Sequence, residues 1–320
     1  MTPEPHIFIC CCVWGWHLDG SRVLAYGCAD PAEENKMGRK VEEIAFSQIP
    51  KALDESIRGI VANYTVGFLR IENDEQGKKP VLIGSGTLVT ANGIHAILTA
   101  HHVIDVLPVR DELGLIYSEN QKLGTLPSGR LRSLKIDRGA VDSEGPDLGA
   151  VILPRPLAAS LGAIKSFHNL DRRRSELLTS PPALADGLWV VQGFVDERTE
   201  EESDPDEGTR TVRFFQLSSL GSARPYNIDN YDYFEVPIRY EDDRPIPESY
   251  GGTSGGGLWQ VPLHKRGSDG EITLDLIPIL SGVAFYQSPI ESRLSSIKCH
   301  GRRSVYDVAY EAIRQTSDAT

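Results

Sequence analysis

Short apolar runs separated by polar turns follow one another along most of this chain of 320 residues. Runs of this length that are rich in β-branched and aromatic residues predict strands rather than helices. The predicted strands are residues 64–71, 81–89, 95–98, 114–117, 130–136, 148–153, 188–194, 211–217, 233–237, 258–261, 274–279 and 282–286. Polar residues 72–79 and 90–93 predict turns between the first three. Many short strands joined by turns predict a sandwich or a barrel.

Helices are predicted near the two ends of this pattern. Over residues 41–60, apolar side chains recur at a spacing of three to four residues, which indicates an amphipathic helix. Pro50 inside that stretch predicts a break or the start of a second helix. Residues 304–314 gather their apolar side chains on one face and predict a closing helix.

Charge and composition narrow the class of protein. A content of 40% hydrophobic and 24% charged residues is typical of an ordinary globular protein. The net charge of −12 argues against a general nucleic-acid binder, which needs a basic face to displace counterions from phosphates. Residues 196–207 contain eight acidic residues and one arginine, which predicts an exposed, mobile loop. The alternative is an acidic surface that attracts a basic substrate or partner by long-range electrostatics.

The five cysteines stand at positions 10, 11, 12, 28 and 299, so the central part of the chain has no disulfide framework. The three adjacent cysteines lack the spaced pairs of a zinc site, and we expect no metal. Residues 7–16 are apolar but too short to span a bilayer, and they lack the features of a signal peptide. We therefore expect a cytoplasmic protein without membrane association. Met37 is an alternative start, which would leave residues 1–36 outside the natural protein.

Three segments carry the residues of a nucleophilic site, in the order histidine, aspartate, serine. Residues 98–103 read Leu-Thr-Ala-His-His-Val, residues 147–153 read Asp-Leu-Gly-Ala-Val-Ile-Leu, and residues 252–258 read Gly-Thr-Ser-Gly-Gly-Gly-Leu. Amide hydrolysis by a serine needs a base for the hydroxyl proton and a group that sets the tautomer of that base. It also needs donors aimed at the developing oxyanion. Two histidines, His101 and His102, compete for the role of base.

This order and these local sequences resemble the trypsin/chymotrypsin-like serine proteases, particularly their bacterial branch, over roughly residues 60–315. The resemblance implies an all-β fold, a double six-stranded β-barrel with the site between the barrels. A helical extension would precede the barrels and a helix would follow them. It divides the chain into an extension, residues 1–58, and a protease domain, residues 59–320. The barrels would cover roughly residues 59–155 and 185–303, and no cofactor or metal is required.

The resemblance also assigns roles. Ser254 would be the nucleophile, and the backbone N–H groups of Gly252 and Ser254 would form the oxyanion hole. In the family the histidine follows Thr-Ala-x, so the base would be His102 and not His101. Asp147, 45 residues further on, would orient His102 and stabilise its imidazolium. Three nearby acids lack a following apolar run and are weaker candidates: Asp137, Asp142 and Glu144.

Departures from the family pattern bear on regulation and specificity. Thr253 stands where zymogen-activated relatives have an aspartate that pairs with a new N-terminus, so we expect no activation by N-terminal cleavage. Residues 280–287 resemble the strand that pairs with the substrate backbone, which implies that Phe285 and Tyr286 line the cleft. By its offset from Ser254, Glu248 would form the floor of the primary pocket and favour Lys or Arg; the alternative is a surface acid.

The function expected from these features is that of a serine endopeptidase acting on a protein or peptide substrate through an acyl-enzyme. Control by a regulatory protein partner remains open. The alternative from another class is an inactive protease fold that binds a peptide or a protein. The segment from Gly252 to Gly256 also fits the Gly-x-Ser-x-Gly motif of α/β-hydrolases. That fold places its serine before the aspartate and histidine, so chain order disfavours it.

Overall fold

The computed structural model describes residues 7–17, 51–75, 77–108, 112–117, 123–127, 131–139, 145–184, 187–204, 209–240, 246–266, 271–274 and 277–316. The strands within them are β1 Ile7–His17, β2 Thr65–Asp74, β3 Gly77–Ala91, β4 Ile94–Thr99, β5 Glu112–Ile116, β6 Leu123–Pro127, β7 Arg132–Arg138, β8 Asp147–Ile152, β9 His168–Asn169, β10 Leu188–Phe194, β11 Glu200–Asp204, β12 Thr209–Gly221, β13 Arg224–Ile228, β14 Tyr231–Arg239, β15 Gly257–Val261, β16 Leu263–Arg266, β17 Glu271–Leu274, β18 Ile279–Gln287 and β19 Leu294–His300. The helices are α1 Lys51–Ala62, α2 His101–Asp105, α3 Arg155–Gly162, α4 Arg174–Thr179 and α5 Tyr310–Arg314. A 3₁₀ turn, Asp196–Arg198, precedes β11, and a π-helix, Ser304–Ala309, leads into α5.

The chain is mostly β, and its strands form two large, mainly antiparallel sheets. The N-terminal sheet has the order β6-β5-β2-β3-β4-β8-β7, with β9 parallel to β3. The C-terminal sheet has the order β1-β12-β10-β15-β18-β19-β14-β13, with β11 on β12 and β1 parallel to β12. The sheets therefore contain eight and nine strands, and the described pairings do not join the two ends of either one.

One hydrophobic core joins the two sheets. It contains Leu98 of the N-terminal sheet, Val190 and Trp259 of the C-terminal sheet, and Ile57 of α1. Ile313 of α5 packs into the same core and is fully buried. Because apolar side chains of both sheets leave water together, their packing fixes how one sheet lies against the other. The candidate site depends on that arrangement.

Most of the predicted strands are confirmed, and β10 has the predicted bounds. The predicted turn at residues 72–79 is wrong for most of its length, because β2 continues to Asp74 and β3 begins at Gly77. Its polar residues pair across the hairpin, with Glu72 opposite Lys79. Opposite charges on facing strands favour such a pairing. The strand predicted at residues 274–279 is not continuous: residues 277–278 lie outside any strand, β17 ends at Leu274 and β18 begins at Ile279, and residues 275–276 lie outside the described part.

The acidic stretch predicted as a loop contains a strand, while residues 205–207 lie outside the described part. Its first residues form the 3₁₀ turn, and β11 then pairs with β12. Basic side chains lie opposite its carboxylates: Arg213 Nη2 is 3.2 Å from Glu202, and Lys79 Nζ is 2.8 Å from Glu201. Main-chain pairing and these cations together outweigh the repulsion between neighbouring acids. The repulsion alone had favoured a loop.

The predicted helices are confirmed where the structure describes them. Helix α1, Lys51–Ala62, lies partly within the predicted helical stretch, while residues 41–50 lie outside the described part and the break at Pro50 stays a prediction. The closing helix is present, although residues Ser304–Ala309 are π-helical. Cys299 is buried with a free thiol, and Cys28 lies outside the described residues. No helix among the described residues has the length and apolar content needed to cross a bilayer.

Candidate active site

His102 and Asp147 come together because β4 and β8 are antiparallel neighbours. Thr99 at the end of β4 lies opposite Gly149 of β8. His102 stands in α2, which begins immediately after β4, and Asp147 is the first residue of β8. The Asp147 carboxylate accepts hydrogen bonds from His102 Nδ1 at 2.5 Å and from the His102 backbone N–H at 2.9 Å. One carboxylate therefore holds both the ring and the main chain of His102.

Gly149, two residues after Asp147 in β8, leaves room for the helix that carries His102. A Cβ atom at position 149 would lie 2.4 Å from Ile104 Cδ1, well inside van der Waals contact. Ile104 belongs to α2, the helix that carries His102. The missing side chain lets α2 pack directly onto β8.

The charge of Asp147 sets the tautomer of His102. Burial raises the pKa of Asp147, but the hydrogen bonds and charge of His102 outweigh burial and hold the pKa below its ordinary value. An ionised carboxylate only accepts hydrogen bonds, so the proton between the two groups belongs to Nδ1 of His102. A neutral ring then has Nε2 free to accept a proton.

The adjacent histidine has different partners. The Nδ1 atom of His101 is 3.0 Å from the backbone carbonyl of Asp137, and its Nε2 atom is 3.6 Å from the Asp105 carboxylate. The His101 side chain is 12% exposed, compared with 38% for His102. Of the two histidines, His102 lines the cavity described below.

Ser254 lies in a tight turn that precedes β15. Gly252 and Gly255 have φ angles of +88° and +91°, in the left-handed region that favours glycine. A Cβ atom at position 255 would lie 2.0 Å from the backbone oxygen of Ser85 and 2.2 Å from Thr99 Oγ1. Glycine is therefore required at this position by both backbone conformation and space.

Strand β3 of the opposite sheet holds this turn. The backbone N–H of Ser85 donates to the Ser254 carbonyl at 2.8 Å, and Ser85 Oγ donates to the Gly252 carbonyl at 2.7 Å. Ser85 Oγ also accepts the Phe194 N–H at 2.8 Å, and Thr87 Oγ1 donates to the Gly255 carbonyl at 3.2 Å. The nucleophile candidate thus belongs to a loop of one sheet that is anchored on the other sheet.

Two N–H groups of the turn are available for a ligand. Thr253, Gly255 and Gly256 donate their N–H groups to backbone carbonyls. Among the contacts of the described residues, the N–H groups of Gly252 and Ser254 have no acceptor. Two such donors, separated by one residue, can bind an oxyanion.

A cavity of about 360 Å³ brings His102, Asp147 and Ser254 together with Phe285 and Tyr286. Its remaining lining residues are Arg138, Gly139, Gly145, Pro146, Ser249, Tyr250, Gly251 and Gln287. The volume lies within the range of small-ligand sites. Gly252 contributes to the turn without lining the cavity.

Glu248 lies outside this cavity, and its role at the floor of a primary pocket stays a prediction. The residue is exposed. Its backbone carbonyl accepts a hydrogen bond from Gln287 Nε2 at 2.9 Å, while Gln287 Oε1 accepts the Tyr250 N–H at 2.8 Å. The Gln287 side chain therefore bridges the segment before Ser254 and the end of β18. Gln287 is the last residue of the strand motif at residues 280–287, whereas no motif had indicated Ser85.

The Ser254 hydroxyl and the His102 ring face the same cavity without a direct hydrogen bond among the described contacts. Ser254 Oγ donates instead to the Phe285 carbonyl at 3.4 Å, which is a long hydrogen bond. Catalytic hydrogen bonds are often long in ligand-free sites and shorten when substrate binds. The Ser254 hydroxyl and the His102 ring, with its defined tautomer, line one cavity, and the two N–H groups without an acceptor belong to the turn that carries Ser254.

No protein-family model matches the chain, and no curated protein sequence matches it. Several solved structures are similar to this chain. One comes from a study of the coupled folding and binding of the Sesbania mosaic virus VPg protein. It is 14% identical, with a TM-score of 0.39, and the match covers 77% of this chain and 90% of that chain. The HtrA-type protease AlgW with a decapeptide is 13% identical, with a TM-score of 0.41, covering 82% and 67%. A mutant of the Tobacco etch virus protease is 11% identical, with a TM-score of 0.36, covering 75% and 74%. Similarity at this level does not identify a shared activity.

Proposed function

We propose that this protein is a serine endopeptidase that hydrolyses peptide bonds through an acyl-enzyme on Ser254. The observation that carries the proposal is the ring of His102, which donates from Nδ1 to an ionised Asp147 at 2.5 Å while lining the same cavity as Ser254. In this mechanism Ser254 Oγ attacks the substrate carbonyl and His102 Nε2 takes its proton. His102 then gives that proton to the leaving amine, and a water molecule releases the acyl group by the reverse sequence.

The surrounding groups would stabilise charge as it develops. The N–H groups of Gly252 and Ser254 would donate to the oxyanion of the tetrahedral intermediate. The Asp147 carboxylate would stabilise the imidazolium of His102. Thr253 is buried and cannot form the ion pair that follows zymogen cleavage, so the proposal includes no activation by N-terminal trimming. Phe285 and Tyr286 would contact the substrate along the cavity wall.

The proposal extends to fold and organisation. We propose a trypsin-like domain over residues 59–320, with barrels over roughly residues 59–155 and 185–303, preceded by an extension over residues 1–58. The last residues of the extension belong to α1, whose Ile57 is buried in the common core. The substrate would be a protein or a peptide, with no cofactor. Cysteine usage favours a reducing compartment, and therefore the cytoplasm.

A specific observation favours a second candidate, a protease fold that binds a peptide or protein partner without turnover. Ser254 Oγ donates to the Phe285 carbonyl, and no hydrogen bond to His102 is described. If the site is latent, a partner would have to rearrange the cavity so that the Ser254 hydroxyl meets the His102 ring.

A fluorophosphonate probe, which reacts with activated serines, tests the proposal. Labelling should occur in the wild type and be lost in both Ser254→Ala and His102→Ala. His101→Ala is the matched control, because it removes the neighbouring histidine, and it should still be labelled. Absence of labelling in folded wild-type protein would favour the binding module. Loss in His101→Ala with retention in His102→Ala would mean that the base had been assigned to the wrong histidine.

A further inference from the structure

A second histidine, His300, contacts the main chain of Asp147. His300 is the last residue of β19 and is fully buried. Its Nε2 atom accepts a hydrogen bond from the Asp147 backbone N–H at 2.9 Å. Aromatic rings enclose it, with the Phe285 ring centroid at 4.8 Å, that of Tyr233 at 5.3 Å and that of Tyr231 at 6.0 Å. His300 is therefore held in one orientation, with a nitrogen facing the main chain of Asp147.

The hydrogen bond defines the protonation state of His300. Because Nε2 accepts, the neutral ring carries its proton on Nδ1. Burial lowers the pKa of His300 to about 4, although the carboxylates of Asp147, Asp232 and Asp137 favour the charged form. The ring thus stays neutral, and Nε2 remains an acceptor, throughout the neutral pH range.

Packing alone does not account for a histidine at this position. The Nδ1 atom of His300 is buried without a hydrogen-bond partner among the described residues. An unpaired buried polar atom is unfavourable, and an apolar side chain would fill the space without one. What the imidazole adds is a single acceptor, which pairs with the N–H of Asp147.

Strand pairing places His300 between the two parts of the site. Its neighbours in the sheet are Val283 of β18 on one side and Tyr233 of β14 on the other. Strand β18 also carries Phe285, whose carbonyl accepts the Ser254 hydroxyl. Asp147 opens β8 in the other sheet. The hydrogen bond from Asp147 to His300 therefore joins the two sheets at the candidate site.

We propose that His300 is a positioning residue, whose neutral Nε2 atom holds the Asp147 main chain so that the carboxylate meets both N–H groups of His102. The inference rests on the proposed function of Asp147. His300 itself touches no substrate and takes no proton during the reaction. His300 would act indirectly. It would fix the position of the Asp147 carboxylate, and the carboxylate would in turn orient the ring of His102.

Two substitutions at position 300 distinguish the effect of the hydrogen-bond acceptor from the effect of the space that the side chain fills. His300→Leu removes the acceptor, whereas His300→Gln offers an amide oxygen near the position of Nε2. The matched control is His168→Leu. His168 is also buried among rings, those of Tyr64 and Trp259, but its Nε2 atom pairs with Tyr306 OH at 3.1 Å, away from Asp147.

The first readout is the rate of fluorophosphonate labelling as a function of pH. We expect His300→Leu to lower the rate by about tenfold to 100-fold, the cost of a misplaced catalytic group. The midpoint of its pH–rate profile should move, because the carboxylate would stabilise the imidazolium less well. His300→Gln should recover most of the rate, and His168→Leu should match the wild type in rate and profile.

The second readout does not depend on turnover. The low-field proton NMR signal of the Nδ1–H between His102 and Asp147 should be present in folded wild type, His300→Gln and His168→Leu. It should shift or disappear in folded His300→Leu. An unchanged signal in His300→Leu would overturn the proposal even if labelling slowed. Absence of labelling in the wild type would count against the proposed function, while the NMR signal would still decide the role of His300.

Discussion

At the scale of single residues, the site depends on which nitrogen of His102 carries the proton. Asp147 accepts hydrogen bonds from Nδ1 and from the backbone N–H of the same histidine. The ring is therefore fixed against rotation, and Nε2 is left as the basic atom. If the group beside Nδ1 could donate a hydrogen bond as well as accept one, the His102 proton could lie on either nitrogen.

Asp147→Asn introduces such a group with little change in shape. The asparagine amide can donate to Nδ1, which would place the His102 proton on Nε2 and block it as a base. We expect the rate of fluorophosphonate labelling to fall by about 10³- to 10⁴-fold, the order found for this change in a serine protease triad. The measurement is the second-order labelling rate of folded protein at neutral pH.

Asp171→Asn controls for the loss of a carboxylate elsewhere. Asp171 is exposed and accepts hydrogen bonds from the Asn92 N–H at 3.0 Å and from Tyr310 OH at 2.6 Å. This variant should be labelled at the wild-type rate. Equal rates for Asp147→Asn and the wild type would show that Asp147 does not set the tautomer of His102.

At the scale of secondary-structure elements, the Ser254 turn is shaped by β3 as much as by its own glycines. The N–H and hydroxyl of Ser85 bind the carbonyls of Ser254 and Gly252. Gly255 lies against the same strand, with no room for a Cβ atom. Contact between strand and turn therefore decides where the nucleophile candidate lies.

Gly255→Ala tests this contact against a matched glycine. Gly93, in the turn between β3 and β4, also has a positive φ angle, +76°, but nothing lies within 4 Å of a Cβ atom there. We expect Gly93→Ala to lower the free energy of unfolding by about 1–2 kcal/mol, from backbone strain alone. Gly255→Ala should cost about 1–3 kcal/mol more, because the added methyl overlaps β3, and should slow labelling.

Urea unfolding gives both free energies, and labelling of the folded fraction gives the effect on the site. If the two alanine variants lose the same free energy, the close contact between Gly255 and β3 contributes nothing to stability. Normal labelling of Gly255→Ala would mean that the turn reaches its conformation without that contact.

At the scale of the whole molecule, two buried histidines link folding to pH. The pKa values of His168 and His300 are both lowered to about 4, primarily by burial. In the unfolded chain each would titrate near its ordinary value of 6.5. Between these two values the unfolded state binds more protons than the folded state. Stability must therefore fall as pH is lowered from about 6.5 towards 4.

Each histidine should contribute a slope of up to about 1.4 kcal/mol per pH unit within that window. We expect the free energy of unfolding of the wild type to be lower at pH 5 than at pH 7. In His168→Leu this decrease in the free energy of unfolding should be smaller, by the amount that one buried histidine contributes. Urea unfolding at the two pH values measures this, and an equal decrease in both proteins would contradict neutral burial of His168.

Strand and helix positions were predictable where the signal was local. The apolar run of β10 and the helical periodicity of α1 depend on neighbouring residues only. The acidic residues of β11 were not predictable as a strand, because their order comes from pairing with β12 and from Lys79 and Arg213.

For the site, motif order identified the segments that carry Ser254, Asp147 and the paired histidines. The roles of those residues remain proposals. The sequence did not indicate Ser85 or His300, and it placed Gln287 in a strand motif without a contact to the segment before Ser254. Ser85 bonds to a residue 167 positions away, and His300 bonds to one 153 positions away. No local pattern reports a contact between strands so far apart in the chain.

The sequence by itself therefore determined a β-rich chain, most of its strands and the residue types available for chemistry, since apolar spacing and turn residues act over a few positions. Only the tertiary structure decided that the Asp147 carboxylate contacts the ring of His102 and that Glu248 is exposed outside the cavity. It also decided that β3 contacts the Ser254 turn and that His300 contacts the main chain of Asp147. Those contacts form when the two sheets pack together through shared hydrophobic clusters, whose side chains come from segments far apart in the chain.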